Sequence, residues 1–233
     1  MLFTLLQIDP QAAAAVMDAA VPVQEEMSFS LIEMAVKGGW LMIPLLLLSI
    51  MAIYIFGERW WAIRKSAQIS PNFMNDIHDA IHQGRIEIAL DLCRNSESPI
   101  ARMIEKGIER IGRPLSDIQA AVENIGNVEV ARLEKGLPML ATIAGGAPMI
   151  GFLGTVMGMI QAFFNMAQAG NNIDISLLSG GIYTAMVTTV AGLFVGILAY
   201  FGYNYLTARI SDLIFKMESN TIEFMDLLHE PAE

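Results

Sequence analysis

The chain has 233 residues, 54% of them hydrophobic and only 16% charged, with a net charge of −10 and a mean hydropathy of +0.48. A soluble domain carries about a quarter charged residues, so this composition belongs to a membrane protein. The acidic balance, without any basic stripe, excludes nucleic acid as a partner, and the single cysteine, Cys93, excludes an intrachain disulfide and a multi-cysteine metal or iron–sulfur site.

Residues 1–37 read as an extracytoplasmic leader. Its start, MLFTLLQIDP, lacks the basic n-region of a signal peptide, and its apolar run ends at Asp9. Ser30 and Glu33 have capping-box spacing. They predict a short amphipathic helix lying along the outer interface, with a frayed leader as the alternative.

The first transmembrane helix is expected over 38–57, centred on WLMIPLLLLSIMAIYIF, with Pro44 as its kink site. Glu58, Arg59, Trp60, Trp61, Arg64 and Lys65 follow at once. Such an aromatic and basic anchor stays on the cytoplasmic side, which puts the N-terminus outside.

Residues 58–135 hold eleven Lys/Arg and twelve Asp/Glu and read as a cytoplasmic helical domain. Pro71, Pro99 and Pro114 stand where helices start, and Gly84 and Gly112 where they stop. The apolar spacing in 86–93 and 99–111 is helical, and no strand pattern is present. His78 and His82 are four apart on a predicted helix but have no third ligand placed by a motif, so no metal is expected. Cys93 reads as a small core residue. With no catalytic constellation, the chain is not expected to be an enzyme and needs no cofactor.

Residues 136–208 carry one charge, Asp174. This divides them into a second transmembrane helix with a cytoplasmic extension (136–168), an extracytoplasmic turn (169–176) and a third transmembrane helix (177–208). Arg209 and Lys216 return the tail, 209–233, to the cytoplasm as a helix. The fold class is an all-α integral membrane protein with three transmembrane helices and long cytoplasmic helical extensions.

Small residues line both of the later spans. At 100° per residue from Gly151, Thr155 falls near ~40°, Gly158 near about −20° and Gly154 near about −60°. From Gly181, the residues Ala185, Thr188, Gly192 and Gly196 lie within roughly 60°, flanked by Thr184 and Thr189. Such stripes let helices approach closely in lipid. The hydroxyls of Thr155, Thr184, Thr188 and Thr189 are either packing devices or the lining of an ion path. Pro148 predicts a kink in the second span. No acid, base or histidine lies deep in any span, so a titrating group for proton conduction must come from a partner.

LATIAGGAPMIGFLGTVMGMIQAF at 140–163 and GGIYTAMVTTVAGLFVGILAYFGYN at 180–204 resemble the MotA/TolQ/ExbB proton-channel family. The likeness also takes in Glu58-Arg59 and EIALDLC…SPIARM, and covers about residues 30–210. Three spans fit the ExbB and TolQ branches rather than the four-span MotA branch, and the long leader leans toward ExbB. The resemblance implies a homopentamer in the bacterial inner membrane, N-terminus periplasmic and C-terminus cytoplasmic. Two single-span ExbD-type helices sit in its central pore and supply the proton-carrying Asp. A TonB-type protein receives the motor output. Thr155 and Thr189 match the family's pore threonines, while Thr184 stands where many ExbB sequences have Glu. A TolQ-like envelope motor and a passive membrane scaffold are the competing readings.

Overall fold

The computed structural model describes residues 38–169 and 175–229. Among them are seven helices: α1 (Met42–Ser66), α2 (Phe73–His82), α3 (Ile86–Arg94), α4 (Pro99–Ile108), α5 (Leu115–Glu134), α6 (Leu137–Ala169) and α7 (Ile175–His229). The described residues contain no strand. The leader, with Ser30 and Glu33, and most of the predicted turn at 169–176 lie outside the described residues.

The local stops are those that backbone sterics dictate. Gly84, Gly112 and Gly136 adopt φ of 69°, 95° and 88°, a left-handed conformation that glycine enters without Cβ strain. Pro99 opens α4, where its missing N–H costs no hydrogen bond, after an extended Ser98.

Three regions are long and apolar enough to cross a bilayer, and they contain α1, α6 and α7. Their outward faces are large and greasy: Ile43, Leu46, Leu47 and Ile53 on α1, Phe152 and Ile160 on α6, Phe194 and Phe201 on α7 are all exposed in the single chain. An apolar surface this continuous suits hydrocarbon or another membrane helix, not water.

The helices depart from the expected boundaries in two ways, at the end of the first and of the third. The first does not stop at Gly57 but runs on to Ser66. The second stretch keeps close to its expected bounds, 136–168, as one helix over Leu137–Ala169. It begins at Leu137, and the preceding helix, α5, is set off from it by Lys135 and the left-handed Gly136. The third helix has no break at 208. At about 1.5 Å per residue, its 55 residues reach roughly 80 Å.

That long helix is the spine. Its first half packs on α1 and α6, and its second half packs on α4 and α5. Ile100, Ile104 and Ile108 of α4, Val122 of α5, and Leu213, Met217 and Phe224 of α7 share one buried cluster. Phe224 is wholly buried over Gly107, where no side chain larger than hydrogen would fit without moving the ring. Residues Phe73, Ile77 and Ala80 of α2 and Cys93 of α3 join the same core.

Candidate functional site

The site is built from the contact between α6 and α7, which is nearly backbone on backbone. A Cβ added to Gly192 would lie 2.6 Å from the Ala147 carbonyl oxygen and 2.9 Å from Gly151 Cα. One added to Gly158 would lie 2.9 Å from the Gly181 oxygen, and one at Gly181 would lie 3.1 Å from the Gly158 oxygen. Gly154 leaves room for the Thr188 side chain, and Gly196 leaves room for the ring of Pro148. The pairings 148 with 196, 151 with 192 and 158 with 181 run in opposite directions, so the two helices are antiparallel. The small stripes, including Ala185, therefore face each other within one chain. A role for these same faces in contacts between subunits does not fit this arrangement, because the neighbouring helix already fills them. Helix α6 continues through Pro148, whose ring is seated over Gly196.

The four threonines have different environments. Thr188 is 1% exposed. Its Oγ1 lies 2.9 Å from the Gly38 carbonyl and 2.9 Å from that of Thr184. Pore lining, expected for Thr188 from its place in the span, is corrected by this burial: the hydroxyl ties α7 to the turn before α1. Thr184 is half-buried with its methyl beside Gly39. Thr189 donates across the helix contact to Gly151 O at 2.9 Å, with Ala185 O of its own helix at 3.2 Å. Thr155 is half-buried and donates to Phe152 O, 2.6 Å away on its own helix. Of the four, Thr155 alone has its hydroxyl bonded only to the preceding turn while its side chain remains partly open.

Thr188 to Gly38 and Gly202 to Phe56 are matched in order along α1 and α7, so these two helices run parallel. Where α1 leaves the apolar zone, an ion network that sequence spacing did not reveal joins it to α4 and α5. Glu129 of α5 is 3% exposed and accepts from Arg102 Nη2 at 2.6 Å and Arg132 Nη1 at 2.7 Å. Arg102 also donates to Glu97 O at 2.9 Å, and the Glu97 carboxylate pairs with Lys65 at the end of α1. Arg59 pairs with Glu58 and donates to Arg132 O at 3.2 Å. Only Glu129's burial would have betrayed this hub, and a charge on a helix does not announce burial in one sequence.

Two other candidates fall away. The His78 and His82 rings lie 4.3 Å apart, but no group of three metal-binding side chains occurs among the described residues. Cys93 is buried, and desolvation, then the nearby Glu105 charge, push its thiol up to about 12. A thiol so protonated is no nucleophile at neutral pH.

Known proteins share this architecture's sequence. The model of the MotA/TolQ/ExbB proton channel family matches residues 95–219. A biopolymer transport protein ExbB homolog of Methanothermobacter thermautotrophicus is 32% identical over 175 residues, covering 72% of this chain and 62% of that protein. An ExbB-like biopolymer transport protein of Synechocystis is 30% identical, covering 76% of this chain and 71% of the relative. The Tol-Pal system protein TolQ of Haemophilus influenzae is 35% identical over 106 residues, 46% of each chain. The family match spans α4 and α5, the glycine contact and all four threonines, and on it the chain belongs to the MotA/TolQ/ExbB proton channel family.

Proposed function

We propose that this chain is an ExbB-like channel subunit of an ion-driven motor in the inner membrane, using the proton-motive force to energise TonB-dependent outer-membrane transport. Five copies surround a pore that holds two single-span ExbD-type helices, and a TonB-type protein takes up the work. The N-terminus is periplasmic, and residues 58–135 and the tail are cytoplasmic. The observation that carries the reading is chemical: the later spans hold hydroxyls at a family-matched helix pair but no Asp, Glu, Lys, Arg or His deep within them. A subunit of this kind can guide a proton only if a partner carries it.

Thr155 and Thr189 would then serve different ends. Thr155's proton is engaged by Phe152 O, which leaves its oxygen lone pairs to accept from a protonated partner carboxyl. Rotation of the hydroxyl lets it donate once the carboxyl has lost its proton. Thr189 holds the wall against which this happens, by its bond to Gly151. Thr184 offers no carboxylate where many ExbB sequences have one, so the partner's acid is the sole proton carrier.

Complementation tests the reading. In a host lacking ExbB, the chain with its ExbD-type partner should restore uptake of a TonB-dependent nutrient, and Thr155→Val should abolish it at normal expression. The likeness to TolQ supports a second reading, an envelope-constriction motor. Rescue of a TolQ-deficient host alone would select that reading. Rescue of neither, with correct membrane insertion, would leave a passive scaffold. For orientation, Ser219→Cys in a Cys93→Ala background should react with an impermeant maleimide only from the cytoplasmic side.

A further inference from the structure

The seam between α1 and α7 holds two cavities in line. The first, about 380 Å³, lies past the aromatic belt and is lined by Trp60, Arg64, Tyr205, Arg209, Asp212 and Lys216, among others. The second, about 420 Å³, lies deeper in the apolar zone, between Ile53 and Phe56 of α1 and Leu198 and Phe201 of α7. Tyr205 borders both. The lining residues keep one face of each helix: 53, 56, 60 and 64 on α1, and 198, 201, 205, 209, 212 and 216 on α7, all at steps of three or four. Because the helices run parallel, the two cavities form one track from charged to greasy.

The charged end has more cations than it can neutralise. Arg64 lies over Trp60 at 5.5 Å, and Arg209 over Tyr205 at 5.3 Å with Nε 3.4 Å from the phenol oxygen. These ring contacts hold both guanidinium groups at the pocket wall without neutralising them. Among the described residues, Asp212 is the one carboxylate lining this pocket, against three cations, and its charge acts on Arg209. Excess cation over an apolar groove, at the level of Trp60 and Trp61, matches a molecule with an anionic head and a hydrocarbon tail.

We propose that this seam is a binding site for one anionic phospholipid of the leaflet on the Arg64 side, with its phosphate held by Arg64, Arg209 and Lys216 and an acyl chain laid between Ile53, Phe56, Leu198 and Phe201. Occupied, the lipid bridges the end of α1 to the spine helix and offsets part of the pocket's excess positive charge. Neither ion conduction nor the partner's carboxylate enters this inference.

The full chain, purified in mild detergent and stripped of lipid, is titrated with phosphatidylglycerol or phosphatidylcholine and the bound lipid is counted by native mass spectrometry. One phosphatidylglycerol per chain should bind well ahead of phosphatidylcholine, and excess inorganic phosphate should not displace it. Arg64→Gln, Arg209→Gln and Lys216→Gln combined should weaken it about a hundredfold, on roughly fivefold per surface cation. Where that variant is not recovered folded, Lys216→Gln alone should cost about fivefold. Arg113→Gln, away from the seam, should change nothing. Equal binding of the two lipids, or undiminished binding to the folded variants, overturns the proposal. Displacement by inorganic phosphate overturns it too, since the pocket would then take a free anion and the groove no chain.

Discussion

The Thr189 hydroxyl bonds the Gly151 carbonyl oxygen, 2.9 Å away on the antiparallel helix. In a regular helix that same oxygen accepts the backbone N–H of Thr155. The two family-matched threonines thus converge on one carbonyl, one through its side chain and one through its backbone. Thr189 belongs to the helix contact, and Thr155 has its hydroxyl free of it.

This division predicts a split between stability and work. Thr189→Val keeps the volume and loses an interhelical hydrogen bond, which should cost about 1 kcal/mol. Thr155→Val removes only a bond to its own helix and should cost less than about 0.5 kcal/mol. Denaturant titration of the purified chain in detergent reads both. Equal losses would mean that the two hydroxyls have the same structural role.

Gly192 admits no side chain, because its Cβ would stand 2.6 Å from the Ala147 carbonyl oxygen. Gly192→Ala should force α6 and α7 apart and destabilise the single chain by roughly 2 kcal/mol or more. Gly57 lies within α1, and a Cβ there would meet nothing within 4 Å. Gly57→Ala should be neutral or stabilise by up to about 1 kcal/mol. The pair is compared by the detergent-resistant helical signal on heating, and similar behaviour of the two variants would contradict the packing.

Glu129 is the hub between α4 and α5. Glu129→Gln leaves Arg102 and Arg132 facing a neutral amide at a 3% exposed position. Both arginines are partly open to solvent, so screening limits the loss to about 2 kcal/mol rather than the larger cost of a fully buried pair. Limited proteolysis should show faster cleavage between 95 and 135. Unchanged cleavage would mean that the pair is ornamental.

The span count, the small-residue stripes and the stops at Gly84 and Gly112 were legible because each rests on local rules: hydropathy, a 100° period, and φ > 0. The partner of each stripe was not. One sequence shows that Gly151 and Gly192 lie on small faces, but not that they lie against each other instead of against another subunit. Thr188 failed for the same reason. A hydroxyl in a span looks alike whether it borders a pore or anchors Gly38. The length of α7 was hidden because Arg209 and Lys216 read as the edge of a membrane, although a helix can pass that edge without breaking.

Cys93 should be silent in the native protein. With its thiol pushed up to about 12 by burial, the thiolate at pH 8 is roughly one part in ten thousand. Maleimide at pH 8 should label it only after denaturation. The raised native value also means that stability from this group is intact below the ordinary 9.0 and is lost as pH rises from there toward about 12, since the unfolded chain gives up the proton first. Rapid native labelling would show that α3 opens.

The central claim is that these spans conduct protons only with a partner's acid. Proteoliposomes carrying the chain alone, or the chain co-assembled with an Asp-bearing single-span ExbD-type protein, are given a proton gradient, and internal pH is followed with a trapped dye. The account predicts no flux above empty vesicles for the chain alone, flux for the co-assembly, and loss of that flux when the partner's Asp is changed to Asn. Equal flux from the chain alone, or flux that survives the Asp→Asn change in the partner, would contradict it.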